Sequence, residues 1–201
     1  MKNTNSLLVV VAIAAAAAAV ALPAQAQVSI SAPYLGGSLG QSDGKKFNHR
    51  CEGFANCDKT GSAWKLFGGL QLTRNLGFEA GYTDLGKFSA TSAGTSNLDL
   101  KVKAWDASAL LVFPFAERFA AFGRLGGYYA KSDQSLNLGG VISNATENNG
   151  GFTFGLGVEL YPARNIGVRG EWQRYAKVGG GSIGGDIDID VLSVGLVVKF
   201  R

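Results

Sequence analysis

The sequence predicts an all-β fold, an eight-stranded antiparallel up-and-down barrel that crosses a membrane. Three observations predict it: an export signal, segments in which apolar and polar residues alternate, and connections that are short and long in turn. Alternation with a period of two places every second side chain on the same face of a strand. An exported chain that repeats this contrast is typical of a barrel with lipid outside and a narrow polar interior.

The N-terminal segment 1–26 has the features of a cleaved signal peptide. Lys2 supplies the positive charge, an uncharged Ala- and Val-rich run follows over 7–22, and Ala24-Gln25-Ala26 gives the cleavage pattern. The run is short for a retained membrane helix, which needs about 20 apolar residues. We therefore expect residues 27–201 to form one outer-membrane barrel domain.

The composition agrees with a β-rich chain that faces lipid. Charged residues make up 17% of the chain, whereas soluble domains average about 25%. The formal net charge of +4 is mild and its basic residues are scattered, which argues against a nucleic-acid partner.

Eight strands are predicted, and the connections between them differ in length. The approximate spans are 32–41, 62–73, 76–86, 99–113, 119–132, 151–161, 166–176 and 187–200. The long polar connections are 42–61, 87–98, 133–150 and 177–186. In bacterial outer-membrane barrels the short turns face the periplasm and the long loops face outside. Both termini are therefore expected at the periplasmic end.

The lipid-facing parity should carry aromatic belts at both interfaces. We place Trp64, Tyr82, Trp105 and Tyr129 in the belt at the long-loop end, and Phe113, Phe119 and Phe200 in the belt at the short-turn end. The alternative is a soluble barrel of the lipocalin kind, whose apolar face points inward. The other parity is rich in Gly, Ala and Ser rather than Lys and Glu, which favours the membrane barrel.

The inward parity also carries charges. They are Lys65, Glu79, Asp106, Arg124, Glu159, Arg169, Glu171 and Lys199. Isolated buried charges are costly, so these groups should pair into a network that fills the lumen. The alternative is a charged translocation path, which would make the chain a small porin-like channel for ions or small solutes.

Four cations follow the outer belt along their strands. Lys101, Lys103, Lys131 and Arg174 should contact lipopolysaccharide phosphates, or simply extend to water at the interface. Asp186, Asp188 and Asp190 are interpreted as a solvated acidic strand end rather than a divalent-cation site.

The two cysteines, Cys51 and Cys57, are predicted to form a disulfide in the first long loop. A metal site with His49 is the alternative, but zinc usually takes four ligands. His49 is the only histidine, and no general base stands beside a nucleophile. We therefore predict no catalytic, cofactor-binding or metal-binding residues, and a lipid-modifying barrel enzyme is the least favoured function.

Three segments carry a family resemblance. Pro33–Ser42, Leu76–Gly86 and Gly123–Tyr129 resemble the first, third and fifth strands of OmpA-like outer-membrane β-barrels. With the closing strand, the likeness covers nearly the whole mature chain. It implies a monomeric barrel with a structural or surface-interaction role, supporting envelope integrity.

The resemblance also implies roles for individual residues. Glu79, Arg124 and Glu171 match positions that form the lumen network in that family. The chain ends after the eighth predicted strand, so the peptidoglycan-binding domain of longer members is not expected. Arg201 follows the terminal aromatic Phe200, the residue type that the barrel assembly machinery recognises in this family.

Overall fold

The protein is described by a computed structural model, which places residues 31–45, 56–58, 60–91, 97–138, 141–178 and 187–200. The strands are β1 (Ser31–Lys45), β2 (Asn56–Asp58), β3 (Thr60–Gln71), β4 (Leu76–Thr91), β5 (Asn97–Ala116), β6 (Phe119–Leu138), β7 (Val141–Leu160), β8 (Ile166–Val178) and β9 (Ile187–Lys199). The described residues contain no helix long and apolar enough to cross a bilayer. The predicted signal peptide lies outside the described residues.

The sheet closes on itself. Every pairing is antiparallel, β1 pairs with both β3 and β9, and β4 pairs with β5. The three-residue β2 pairs with the C-terminal end of β4, and β3 pairs with the N-terminal part of β4. β2 therefore continues the line of β3 in the wall. The barrel wall therefore has eight strands, β1 and β3 to β9, which confirms the predicted fold class.

The period-two pattern explains why these segments form a barrel wall. In β3 the described side chains from Thr60 to Phe67 alternate strictly between exposed and buried. The exposed parity is apolar: Leu39 is 73% exposed and Trp105 65%. Closing a sheet removes its edges and satisfies every ladder hydrogen bond, as a strand in lipid requires. The predicted orientation, with apolar side chains outward, is confirmed.

The strands β5, β6 and β7 are longer than a membrane needs. Each has 20 residues, whereas a tilted transmembrane strand needs about 9–11. The pairing of β6 with β7 runs from Phe119 and Leu160 to Leu138 and Val141. The prediction of a long loop over 133–150 is therefore wrong, since only residues 139 and 140 separate these strands. The polar segment forms a β-hairpin because water can solvate one face of an antiparallel sheet.

Two bulges interrupt the pairing near the long-loop end. One lies between Asp84 and Lys87 of β4, where Gly86 has φ 85° and its N–H donates to the Asp84 carboxylate. The other lies before Val178 of β8, where Lys177 has φ 60°. Bulges of this kind bend a strand and increase its twist, so both sides of the wall curve at this level.

The lumen network and the outer rim

The lumen charges come from successive strands. The strands β3 to β7 contribute one charged side chain each, and β8 contributes two. In each strand the charged residue belongs to the set of alternate side chains that points into the lumen. The seven residues are Lys65, Glu79, Asp106, Arg124, Glu159, Arg169 and Glu171, all of them buried. The structure brings these seven predicted residues together.

Arg124 occupies the centre of this lumen network. Its Nη1 lies 2.5 Å from Glu171 Oε1, and its Nη2 lies 3.0 Å from Asp106 Oδ2 and 3.1 Å from Glu79 Oε1. Nη2 also donates to the Ser108 hydroxyl at 3.3 Å. One guanidinium thus contacts carboxylates from three other strands, which offsets the cost of burying each charge.

Lys65 and Tyr175 extend the lumen network toward the long-loop end. Lys65 Nζ lies 3.3 Å from Asp106 Oδ2 and donates to Gln173 Oε1 at 3.0 Å. The Tyr175 hydroxyl donates to the other Asp106 oxygen at 3.1 Å and lies 2.9 Å from the Thr83 hydroxyl. Each Asp106 oxygen therefore has a partner on a different strand. Tyr175 was not among the predicted lumen residues, and its inward parity was the only signal for it in the sequence.

Arg169 lies between two aromatic rings. Its central guanidinium carbon is 4.5 Å from the Phe67 ring centroid and 4.8 Å from that of Phe122. Its nitrogens contact Glu79 Oε2 and Glu159 Oε1, each at 2.6 Å. The rings contact the faces of the planar guanidinium and the carboxylates bind its edges, so that its orientation is fixed.

Lys199 lies apart from the seven network residues, at the short-turn end. Its Nζ lies 4.1 Å from the Tyr161 ring centroid and donates to Gln71 Oε1 at 3.3 Å. The Tyr161 hydroxyl donates to Glu159. Burial, and then the Glu159 charge, raise the pKa of the Tyr161 phenol, which lies on the turn after β7. These side chains line the short-turn end of the lumen.

Above the lumen network, at the long-loop end, most of the described interior side chains are apolar, with Ser42, Thr83 and Ser132 buried among them. This outer cluster contains Ala63, Leu85, Phe88, Leu100, Val102, Ala104, Tyr128, Ala130, Tyr175, Val178, Ile187, Ile189 and Val191, all buried. The outer cluster was not predicted, because the inward parity was expected to be small and polar along the whole lumen. The lumen is thus filled in two layers, one ionic and one apolar.

The outer cluster can be recognised in the sequence. Along a strand, the apolar side chains point outward below the belt and inward above it. In β5, Leu100, Val102 and Ala104 point inward, whereas the outward Trp105 begins the lipid-facing series. In β9 the change falls between Val191, which is buried, and Leu192, which is exposed. The switch marks the level at which the solvent outside the wall changes from lipid to water.

The predicted belt residues lie on the outer face. At the long-loop end, the Tyr82 ring lies 5.5 Å from the ring of Trp64 and 4.9 Å from that of Trp105, which pairs across the strand with Tyr129. Phe113, Phe119 and Phe200 are exposed at the short-turn end. Phe115, which the sequence analysis placed in a turn, is also exposed and stacks on Phe119 at 6.0 Å.

The four predicted rim cations lie just above the belt. Lys103 faces Lys131 across the strands, and Lys101 faces Asp133. Lys131 also lies 3.7 Å from the Asp133 carboxylate. Like charges directly opposite each other destabilise a sheet, and Lys103 also faces the Asp84 carboxylate on its other side, in β4.

Arg174 is engaged within the wall. Its Nε and Nη2 donate to the two Asp190 oxygens at 2.5 and 2.7 Å, and its guanidinium lies over Trp172. The Asp188 carboxylate accepts the Lys177 backbone N–H at 3.0 Å. Within the described ranges no three metal-binding side chains cluster. Asp186, His49 and Cys51 lie outside the described residues, so the disulfide to Cys57 stays a prediction.

Comparison with known proteins places this fold in a family. The model of the outer membrane protein beta-barrel domain matches residues 12–200. Outer membrane protein A of Klebsiella pneumoniae is 31% identical over 176 residues, covering 83% of this chain and 50% of the relative. Outer membrane protein A of Serratia marcescens is 28% identical, covering 83% of this chain and 49% of the relative. The chain spans about half the length of these curated relatives.

Solved structures agree on the architecture. Neisserial surface protein A superposes with a TM-score of 0.59 at 19% identity, covering 84% of this chain and 97% of that one. A major outer membrane protein from Thermus thermophilus gives a TM-score of 0.58 at 11% identity, covering 85% and 100%. At such identities the likeness concerns the fold alone. Together, the family model and the curated relatives show that this chain belongs to the OmpA-like family of bacterial outer-membrane β-barrel proteins.

Proposed function

We propose that this outer-membrane barrel is a non-conducting structural element of the cell envelope, whose outer surface contacts lipopolysaccharide and external partners. One observation carries the proposal: the lumen contains an ionic layer and an apolar layer in series. An eight-stranded barrel is just wide enough for its side chains to fill it. The envelope role itself is the general role of OmpA-like barrels.

The apolar layer argues against the channel alternative. A lumen lined by charges alone could pass an ion if one ion pair exchanged partners. Here an ion that left Arg124 toward the outside would next meet the outer cluster, in which Phe88 and Ile189 are fully buried. Bringing a bare charge into such surroundings is costly.

Conductance across planar bilayers tests the proposal. We expect no stable openings from the wild type, from Arg124→Ala, or from the double variant Phe88→Ala with Ile189→Ala, since each keeps at least one layer intact. The triple variant should conduct, provided that it still shows the mobility shift of a folded barrel on unboiled gels. Large stable openings from the wild type would refute a filled lumen.

The rim lysines Lys101, Lys103 and Lys131 support a second part of the proposal, contact with lipopolysaccharide phosphates, whereas Arg174 is already paired with Asp190. The facing lysines Lys103 and Lys131 are exposed directly above the aromatic belt, where lipid headgroups lie. A phosphate between them would relieve their repulsion.

Co-purification of lipopolysaccharide tests this contact. The double variant Lys103→Gln with Lys131→Gln should retain less lipopolysaccharide than the wild type. Arg164→Gln, at the opposite end of the barrel, is the matched loss of charge and should change nothing. Equal retention by all three proteins would remove the proposed contact.

External partners are proposed to meet the β6–β7 hairpin beyond the belt and the predicted loop segment 42–61. Among the described residues, the hairpin is the longest paired extension of the wall above the rim. The curated relatives are outer membrane proteins, and we propose that this chain has no enzymatic activity. An unchanged lipid A profile after deletion would agree with that proposal, and a changed one would contradict it.

A further inference from the structure

The lipid-facing wall contains a groove of about 600 Å³ on β1, β3, β4 and β5. Its floor is made of small residues that face one another across three strands: Gly68 pairs with Ala80, and Ala80 pairs with Ala107. Larger side chains, Leu35, Leu70 and Phe78, stand beside this floor, and Phe200 borders the groove at the short-turn end. Its volume lies within the range of about 300–1,000 Å³ that is typical of ligand pockets.

The short turn next to the groove carries a cation. Leu70 and Phe78 are cross-strand partners, and the turn 72–75 that joins their strands carries Arg74. Arg74 is exposed, and among the described residues its guanidinium has no ion pair or hydrogen-bond partner. The turn itself is held in place, since the Asn75 side-chain amide donates to the Val112 carbonyl at 2.8 Å.

The apolar groove and the cation next to it match the two parts of one molecule. We propose that an acidic phospholipid of the periplasmic leaflet binds here, with its phosphate on Arg74 and one acyl chain in the groove as far as Ala107. Short turns face the periplasm in such barrels, so Arg74 lies at the headgroup level of the inner leaflet. An arginine there attracts acidic lipids by about 1 kcal/mol. An acyl chain held in the groove makes van der Waals contacts with its floor that a mobile lipid outside the groove would not make.

The chain supplies its own control for this cation. Arg164 is exposed on the turn 161–165, and Arg164-Asn165-Ile166-Gly167 repeats the pattern of Arg74-Asn75-Leu76-Gly77. The strands on either side of Arg164 are β7 and β8, which do not line the groove. If replacing Arg74 reduces lipid binding and replacing Arg164 does not, the difference must therefore come from the groove.

Native mass spectrometry of the purified barrel, with added phosphatidylglycerol or phosphatidylcholine, tests the inference. The wild type should retain phosphatidylglycerol in preference to phosphatidylcholine. Arg74→Gln should reduce this preference about fivefold, the equivalent of one such contact, whereas Arg164→Gln should leave it unchanged. Ala107→Phe fills the groove and should reduce retention of both lipids. Ala121→Phe, on the lipid face of β6 outside the groove, should not.

Several results would overturn the inference. Equal effects of Arg74→Gln and Arg164→Gln would show that any positive charge on a short turn attracts the lipid, without a specific site. Unchanged lipid retention by Ala107→Phe would show that no acyl chain binds in the groove. Retention of purified lipid A with the same dependence on Arg74 would assign the site to the other leaflet. A dimer that Ala107→Phe abolishes would make the groove a contact between two copies of the chain. The proposed absence of conductance does not depend on any of these results.

Discussion

Arg124 Nη1 lies 2.5 Å from Glu171 Oε1 and links β6 to β8 on the lumen side of β7. Replacing Arg124 with Met would leave three carboxylates buried without their shared cation. We expect the free energy of unfolding to fall by about 3–5 kcal/mol, measured by urea titration in lipid vesicles with tryptophan fluorescence.

The control for this variant is the exposed pair of Lys87 and Asp99, which lie 2.9 Å apart. Lys87→Met removes one charge as well, but solvent screens this pair, so the expected loss is about 0–1 kcal/mol. Comparable losses in the two variants would contradict the central role of Arg124 in the lumen network.

Gly157 leaves room for the ring of Phe122, one of the two rings beside Arg169. A Cβ at Gly157 would lie 2.3 Å from the Phe122 ring, so Gly157→Ala must displace the ring. We expect a loss of about 1–3 kcal/mol from this overpacking, measured by the same titration. Gly123→Ala is the control, because its Cβ would meet only Leu156 at 3.6 Å. If Gly157→Ala proved as stable as Gly123→Ala, the packing around Arg169 would be looser than described.

Lys177 has φ 60°, a backbone conformation that costs most residues about 1–2 kcal/mol. Glycine adopts it without that cost, although it loses about 0.5–1 kcal/mol more in chain entropy. Lys177→Gly should therefore raise the free energy of unfolding by about 0.5–1 kcal/mol. The thermal midpoint in detergent measures this gain.

The converse change at the other bulge is the control. Gly86→Ala should destabilise the barrel, because φ is 85° and the added Cβ would lie 2.5 Å from the Ser62 carbonyl oxygen. A destabilised Lys177→Gly would show that the lysine side chain contributes more than its backbone costs.

The depth of the tryptophans tests the orientation of the barrel in the membrane. Trp64, Trp105 and Trp172 all lie near the long-loop belt. Lipids brominated near the headgroup should therefore quench tryptophan emission more than lipids brominated near the acyl terminus. Stronger quenching by the deep label would place this belt in the bilayer centre and contradict the assignment.

The barrel wall could be predicted from the sequence because lipid imposes a simple rule on each strand. Every second side chain between the belts must be apolar, and Leu192 to Phe200 or Trp105 to Phe113 obey that rule without exception in the outward parity. The inward position of Glu79 and Arg124 follows from the same alternation. Their partners do not, because strand stagger and side-chain reach decide which groups meet across the lumen.

The region beyond the belt was predicted poorly because lipid no longer constrains it. The β6–β7 hairpin over 133–150 is rich in Asn, Gly and Ser and resembles a loop in composition, although its backbone is paired throughout the described part. The outer cluster was missed for a related reason. Leu100 and Val102 alternate with lysines as they would in a soluble sheet, where the apolar face is the inner one.

The position of Trp105, where the apolar side chains begin to point outward, also gives the thickness of the membrane that the protein fits. Trp105 and Phe115 are the first and last lipid-facing aromatics of β5 and stand ten residues apart, about 33 Å along a strand. A tilt of about 35–45° reduces this to a hydrophobic height of about 25 Å, the value for outer-membrane barrels. In bilayers of longer acyl chains, the surrounding lipid must thin or the belts must sink. Hydrophobic mismatch should therefore restrict stable insertion to thin membranes.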